Sequence, residues 1–147
     1  MKTEAWRTAG AVFVAGGTGA LARFWVSSTV QSAVAFLPVF PWGTALVNGI
    51  GCLAAGALIA ALEAVAVHSG VEASLFYSRL LLTGFLGGFT TFSAFSVETL
   101  GMLRIGQTVS AAAYVLGSAL VFPALCGAGF VGMRAILTAA GLLAVRG

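Results

Sequence analysis

Charge is what this sequence has least of. Seven Lys or Arg and four Asp or Glu are spread over 147 residues, whereas a soluble domain spends about a quarter of its residues on charge. Hydrophobic residues make up 60% and the mean hydropathy is +1.07. A soluble monomer of this composition would expose apolar patches well beyond the roughly few hundred Å² that soluble proteins tolerate. The chain is therefore read as an integral membrane protein whose first partner is the lipid bilayer. Its basic residues are isolated, and without a Lys/Arg run the net charge of +3 makes no nucleic-acid footprint. Cysteine is scarce too: Cys52 and Cys126 lie in separate apolar stretches, with no His or Cys at metal spacing, and read as small membrane-buried residues. No nucleophile–base pair, metal-ligand cluster or phosphate loop is visible and the one histidine, His68, stands alone, so an enzyme is not expected. The length allows a single transmembrane domain over residues 1–147.

The charge-free intervals 8–22, 24–62, 80–97 and 105–133 divide the chain. A helix needs about 20 apolar residues to cross the bilayer, so the interval 24–62 holds more than one crossing, with Pro38 and Pro41 as punctuation. Four helices are predicted, over about 5–28, 42–64, 76–103 and 109–132, with residues 65–75 as the longest polar loop. The second helix is expected to close on Glu63. Lys2 and Arg7 before an apolar stretch, and Ala20-Leu21-Ala22 after it, have the outline of a signal peptide. Gly16, Gly17 and Gly19 interrupt its would-be apolar core, and the segment is expected to remain as the first span. A cytoplasmic N-terminus would put Lys2, Arg7, Arg79, Arg134 and Arg146 inside against Arg23 and Arg104 outside, a mild bias under the positive-inside rule. The implied location is the cell membrane, multi-pass.

Glycine is abundant, at 20 residues, and sits inside the apolar runs. Helices in lipid associate through close packing of small residues, and small pairs four apart occur in every span: Ala15/Gly19, Gly16/Ala20, Gly51/Ala55, Gly56/Ala60, Gly84/Gly88 and Ala113/Gly117. The third span differs, reading TGFLGGFTTFSAFS over 83–96. Each Gly in a helix interior costs about 1 kcal/mol relative to Ala, so Gly87-Gly88 followed by Thr90-Thr91 predicts a helix opened at mid-membrane. Freed carbonyls there can coordinate a monovalent cation, and freed amides present positive potential. Thr90, Thr91, Ser93 and Ser96 add hydroxyls at the same depth.

Phe92, Phe95 and Glu98 follow at helical spacing on one face. Phenylalanine rings carry positive edges and can line an anion path without supplying charge, while a carboxylate within a span is a functional candidate by default. Asn48, one turn beyond Thr44 on the second helix, offers amide donors suited to a partly dehydrated anion or, equally, to gluing helices together. Tyr114 and Ser118 share a face of the fourth helix, which Phe122 continues.

GGTGALAR (16–23), GTALVNGIG (43–51) and GFLGGFTTFSAFSVE (84–98) resemble the three signature stretches of the CrcB/Fluc family of small bacterial fluoride channels. The resemblance covers the whole four-helix plan. It implies an all-α membrane protein with four transmembrane helices, the third broken, in an antiparallel dual-topology dimer that exports fluoride passively and lowers its cytoplasmic toxicity. The partner would be a second copy or an oppositely oriented paralogue. A structural Na+ would sit at the dimer centre on the carbonyls of Gly87 and Thr90. The resemblance also implies Phe92 and Phe95 as pore rings, Asn48 as pore amide, Tyr114 and Ser118 as a polar track, and Arg23 as a vestibule arginine. Thr44, Thr91, Ser93 and Glu98 complete the candidate ion pathway. Phe122 stands where the family's track often has a hydroxyl, and Ala94 where Thr is commoner. Two rivals carry less of the sequence. A small four-helix multidrug or cation antiporter needs a carboxylate centred in its first span, where this chain has only Arg23. A non-transporting membrane assembly subunit leaves the polar third helix unexplained.

Overall fold

The computed structural model describes residues 2–35 and 40–143. Its helices, in chain order, are α1 (Lys2–Ala33), α2 (Trp42–Ser69), α3 (Val71–Ser78), a π-helical segment (Arg79–Leu86), α4 (Gly87–Phe89), α5 (Phe92–Arg104) and α6 (Thr108–Ala139). Among the described residues they make four stretches long and apolar enough to cross a membrane, the third of them Val71–Arg104. An even number of crossings returns both ends of the chain to one side. Trp6 and Trp25 on α1 are 77% and 66% exposed, and at 1.5 Å per residue they stand about 28 Å apart along the helix. That is close to the ~30 Å hydrocarbon thickness, the spacing expected of rings at the two aromatic belts of a bilayer.

The helices run longer than the distribution of charge suggests. α2 does not close on Glu63 but continues to Ser69, and α6 continues past 132 to Ala139. The reason is an ion pair across the two helices, Arg134 Nη1 to Glu63 Oε2 at 3.1 Å. Each charge answers the other, so neither terminates its helix. The expected loop over 65–75 is absent. A single residue, Gly70 with φ 88°, turns the chain from α2 into α3, and the Ser74 hydroxyl donates back to the Leu62 carbonyl at 2.9 Å. His68 consequently ends a helix, with Nε2 2.9 Å from the Leu142 carbonyl. α1 likewise runs on to Ala33. Of the two punctuating prolines, Pro41 directly precedes α2, and Ala45 N–H donates to its carbonyl at 3.0 Å; Pro38 lies outside the described residues.

The glycines set the spacing between helices. The principal pair is α2 with α6, where an added Cβ on Gly56 would run into the Cys126 carbonyl and one on Gly129 into the Leu53 carbonyl. α1 packs chiefly on the π-helical segment and α4. There Gly19 faces the Phe85 carbonyl, Gly84 the Ala15 side chain and Gly88 the Gly16 carbonyl. These approaches are the small-residue contacts that hold membrane helices together. Gly117, by contrast, has nothing within 4 Å of where its Cβ would be, so its pairing with Ala113 serves no contact within the protomer.

Candidate functional site

The third span does break, but not at its glycine pair. Gly87 keeps helical angles (φ −62°, ψ −34°), and the chain becomes extended at Thr90 (φ −82°, ψ 156°) and Thr91 (φ −150°, ψ 118°). Gly88 is a packing glycine, pressed on Gly16, and that close contact offsets its poor helix propensity. β-Branched threonines lose side-chain freedom in a helix and suit extended backbone, so the chain leaves the helix there. Thr90 ends α4 with both its N–H and its hydroxyl donating to the Leu86 carbonyl at 2.9 Å. Thr91 begins α5 as its N-cap, accepting Ala94 N–H on its hydroxyl at 3.2 Å. That hydroxyl also lies 3.1 Å from the Ser93 hydroxyl.

Asn48 joins α2 to the break. Its Oδ1 accepts Thr91 N–H at 2.8 Å, and its Nδ2 donates to the Thr91 carbonyl at 3.1 Å. The side chain is buried and answers both main-chain groups of one extended residue, which at this depth would otherwise have no partner. One amide N–H of Asn48 remains. The Thr90 carbonyl, between the two helices, receives no hydrogen bond among the described residues, and the Gly87 carbonyl lies one turn before it in α4.

These groups share an open groove of about 730 Å³ between α2, the third span and α6. Asn48, Cys52, Gly87, Thr90, Thr91, Phe92, Phe95, Ser118 and Phe122 are among the residues lining it. No charged side chain is among them. The ring of Phe95 lies 5.5 Å from that of Phe92 and 4.8 Å from that of Tyr114. Phe95 is half-buried, whereas Phe92 is 79% exposed on the protomer surface.

One turn further towards the other end of the span, a carboxylate gathers three helices. Glu98 on α5 accepts the Thr44 hydroxyl of α2 at 2.6 Å on Oε1 and the Tyr114 hydroxyl of α6 at 3.1 Å on Oε2. Tyr114 is 2% exposed, so its hydroxyl needs the partner that Glu98 supplies. Thr44 and Glu98 also line a second groove, of about 580 Å³, together with Ser27, Gln31, Phe40 and Gly101. Phe95 and Tyr114 thus stand between the mid-membrane groove and the one opening past α5.

Nearly all the candidate residues from the sequence meet in this region. Ser93 joins it through Thr91, and Arg23 is not brought there. It sits half-buried on α1, one turn before Ser27, and lines neither groove. Two residues of the site carry no sequence signal. Phe40 lies edge-on to Tyr114 at 5.2 Å. Gln31 donates to the Phe40 carbonyl at 3.2 Å and accepts Gly43 N–H at 3.3 Å, closing the entry to α2. A lone amide and a lone ring follow no spacing rule.

The family described as “CrcB-like protein, Camphor Resistance (CrcB)” matches residues 10–132, which include every residue of both grooves. A protein of Rhizobium leguminosarum bv. trifolii named “Fluoride-specific ion channel FluC” is 40% identical over 125 residues, 85% of this chain and 94% of that protein. Proteins of the same name from Gloeobacter violaceus and Hyphomonas neptunium are 41% and 47% identical over 127 and 104 residues. These alignments cover 85% and 70% of this chain and 94% and 76% of the relatives. The chain belongs to the CrcB family.

Proposed function

We propose that this protein is a fluoride-selective channel that lets fluoride leave the cell passively across the cell membrane. The observation that carries the reading is the mid-membrane groove, an apolar channel with a few amide, hydroxyl and main-chain groups and no charged side chain, at a break that α2 holds open. The relatives' name gives the ion. Fluoride is small and strongly hydrated, so a path must replace its water with fixed donors, at sites weak enough to release it. Along this groove the donors are the remaining Asn48 N–H, the Ser118 hydroxyl and the positive edges of Phe92 and Phe95. Beyond Phe95 the Tyr114 and Thr44 hydroxyls are held by Glu98, which positions them and whose charge their hydrogen bonds partly offset. Arg23 would act from the vestibule alone. Chloride is larger and is excluded where the rings narrow the path.

The same reading calls for a second subunit. A broken helix is sustained in the hydrocarbon layer only where protein or water covers it, yet the groove beside Thr90 and Thr91 is open on a single protomer, with Gly87 and Phe92 exposed on either side of the break. A second copy in antiparallel orientation, or an oppositely oriented paralogue, would cover this surface. The carbonyls of Gly87 and Thr90, beside the break, are hard neutral oxygens, the donor type that a broken membrane helix offers to Na+. Among the described residues no group of His, Cys, Asp or Glu could hold a metal instead. These carbonyls, with those of the second subunit, would hold a sodium ion.

The function is tested in a bacterial strain stripped of its own fluoride export. Expression of this chain should restore growth in fluoride medium. Protein that reaches the membrane as a folded assembly but leaves the strain fluoride-sensitive would contradict the proposal.

A further inference from the structure

A third open groove lies away from the ion path, between the start of α1 and the start of the third span. Arg7, Thr8, Ala9, Glu72, Phe76 and Arg79 line it. Its level in the membrane is set by α1: Arg7 follows Trp6, the ring expected at one aromatic belt. Both arginines are exposed, and among the described residues neither forms an ion pair. Ala5, Ala9, Ala11 and the Phe76 side chain give the lining its apolar part. Glu72 is the one acidic residue in the lining, so the groove keeps a net positive charge. Two arginines that form no ion pair among the described residues, at headgroup level and beside apolar side chains, match an amphiphile with an anionic head and an acyl tail.

We infer that this groove binds an anionic phospholipid, its phosphate between Arg7 and Arg79 and an acyl chain along Ala9 and Phe76. The lipid would bridge α1 to the third span at the end opposite the Glu98 cluster. An arginine guanidinium offers paired donors in the geometry a phosphate accepts. Glu72 repels the headgroup and limits its affinity, which allows lipid exchange.

The test is native mass spectrometry of the delipidated full-length protein titrated with phosphatidylglycerol, phosphatidylcholine or inorganic phosphate. Phosphatidylglycerol should be retained in preference to phosphatidylcholine, and inorganic phosphate should not displace it. Arg7→Gln and Arg79→Gln should each lower that retention about fivefold, the contribution of one basic residue at a membrane surface. Arg104→Gln, outside the groove, should leave it unchanged. Glu72→Gln should raise it, and this variant serves if an arginine variant fails to fold. Equal retention of the two lipids would overturn the inference, as would displacement by inorganic phosphate. Unaltered phosphatidylglycerol retention in the folded Arg7 and Arg79 variants, or no gain in Glu72→Gln, would do the same. None of these readouts depends on fluoride transport.

Discussion

Replacing Asn48 with Leu should reduce fluoride efflux by about a hundredfold and lower the unfolding midpoint of the protein. Leu is close to Asn in size but offers neither donor nor acceptor. Thr91 N–H and C=O, now answered at 2.8 and 3.1 Å, would both be left in a dry interior. Each orphaned buried group costs about 1–3 kcal/mol, and a change of about 2.7 kcal/mol is a hundredfold in rate. The proposed path also loses its amide donor in the same substitution. Two further variants separate the effects. Asn48→Asp keeps an acceptor for Thr91 N–H but sets a carboxylate against both the Thr91 carbonyl and the passing anion, so flux should fall as far as in the Leu variant. Asn48→Ser keeps a smaller donor and should fall between. Flux in liposomes and melting in detergent read the two consequences separately; a folded Asn48→Leu protein with unchanged flux would remove Asn48 from the path.

Substituting the two rings should slow efflux tenfold or more, but with different side effects. Phe92 is 79% exposed on the protomer, so Phe92→Ile removes a ring edge without disturbing the protomer's packing. Its melting within one subunit should stay near the parent's, and the loss should appear in flux. Phe95 packs on Tyr114 at 4.8 Å, and Phe95→Ile opens space beside a buried tyrosine. A large-to-small change of that kind costs about 1–3 kcal/mol, so this variant should lose stability as well as flux. Tenfold corresponds to about 1.4 kcal/mol in the barrier, within what a lost ring edge can supply. Unchanged flux in both variants would exclude the ring-edge role.

Much of this arrangement is visible in the sequence because the bilayer leaves few alternatives. Long charge-free intervals between scattered arginines mark the crossings, and only helices satisfy their own backbone in lipid. What is hidden depends on pairs that meet only in three dimensions. Glu63 reads as a helix end until Arg134 arrives from another helix to answer it. His68, Ser69, Glu72 and Ser74 make residues 65–75 look like a polar loop, yet they lie in two helices joined by a one-residue corner at Gly70. Gly87-Gly88 reads as the weak point, yet Gly88 is fixed by Gly16 and the break moves to the threonines. The π-helical turns at Arg79–Leu86 have no compositional mark at all. For the site, residue type was informative where each side chain has a chemistry of its own, as with Phe95 and Glu98. The engagement of Asn48 with Thr91, and of Glu98 with Thr44 and Tyr114, was not foreseeable because each partner lies on another span.

The central claim is that a groove without charged side chains conducts fluoride and rejects chloride. The most direct measurement reconstitutes the purified protein in liposomes loaded with both anions and follows efflux with fluoride- and chloride-selective electrodes in the same sample. Rapid fluoride efflux with chloride retained until the liposomes are lysed is the predicted result. Well-folded protein that releases both anions together, or neither, would contradict it.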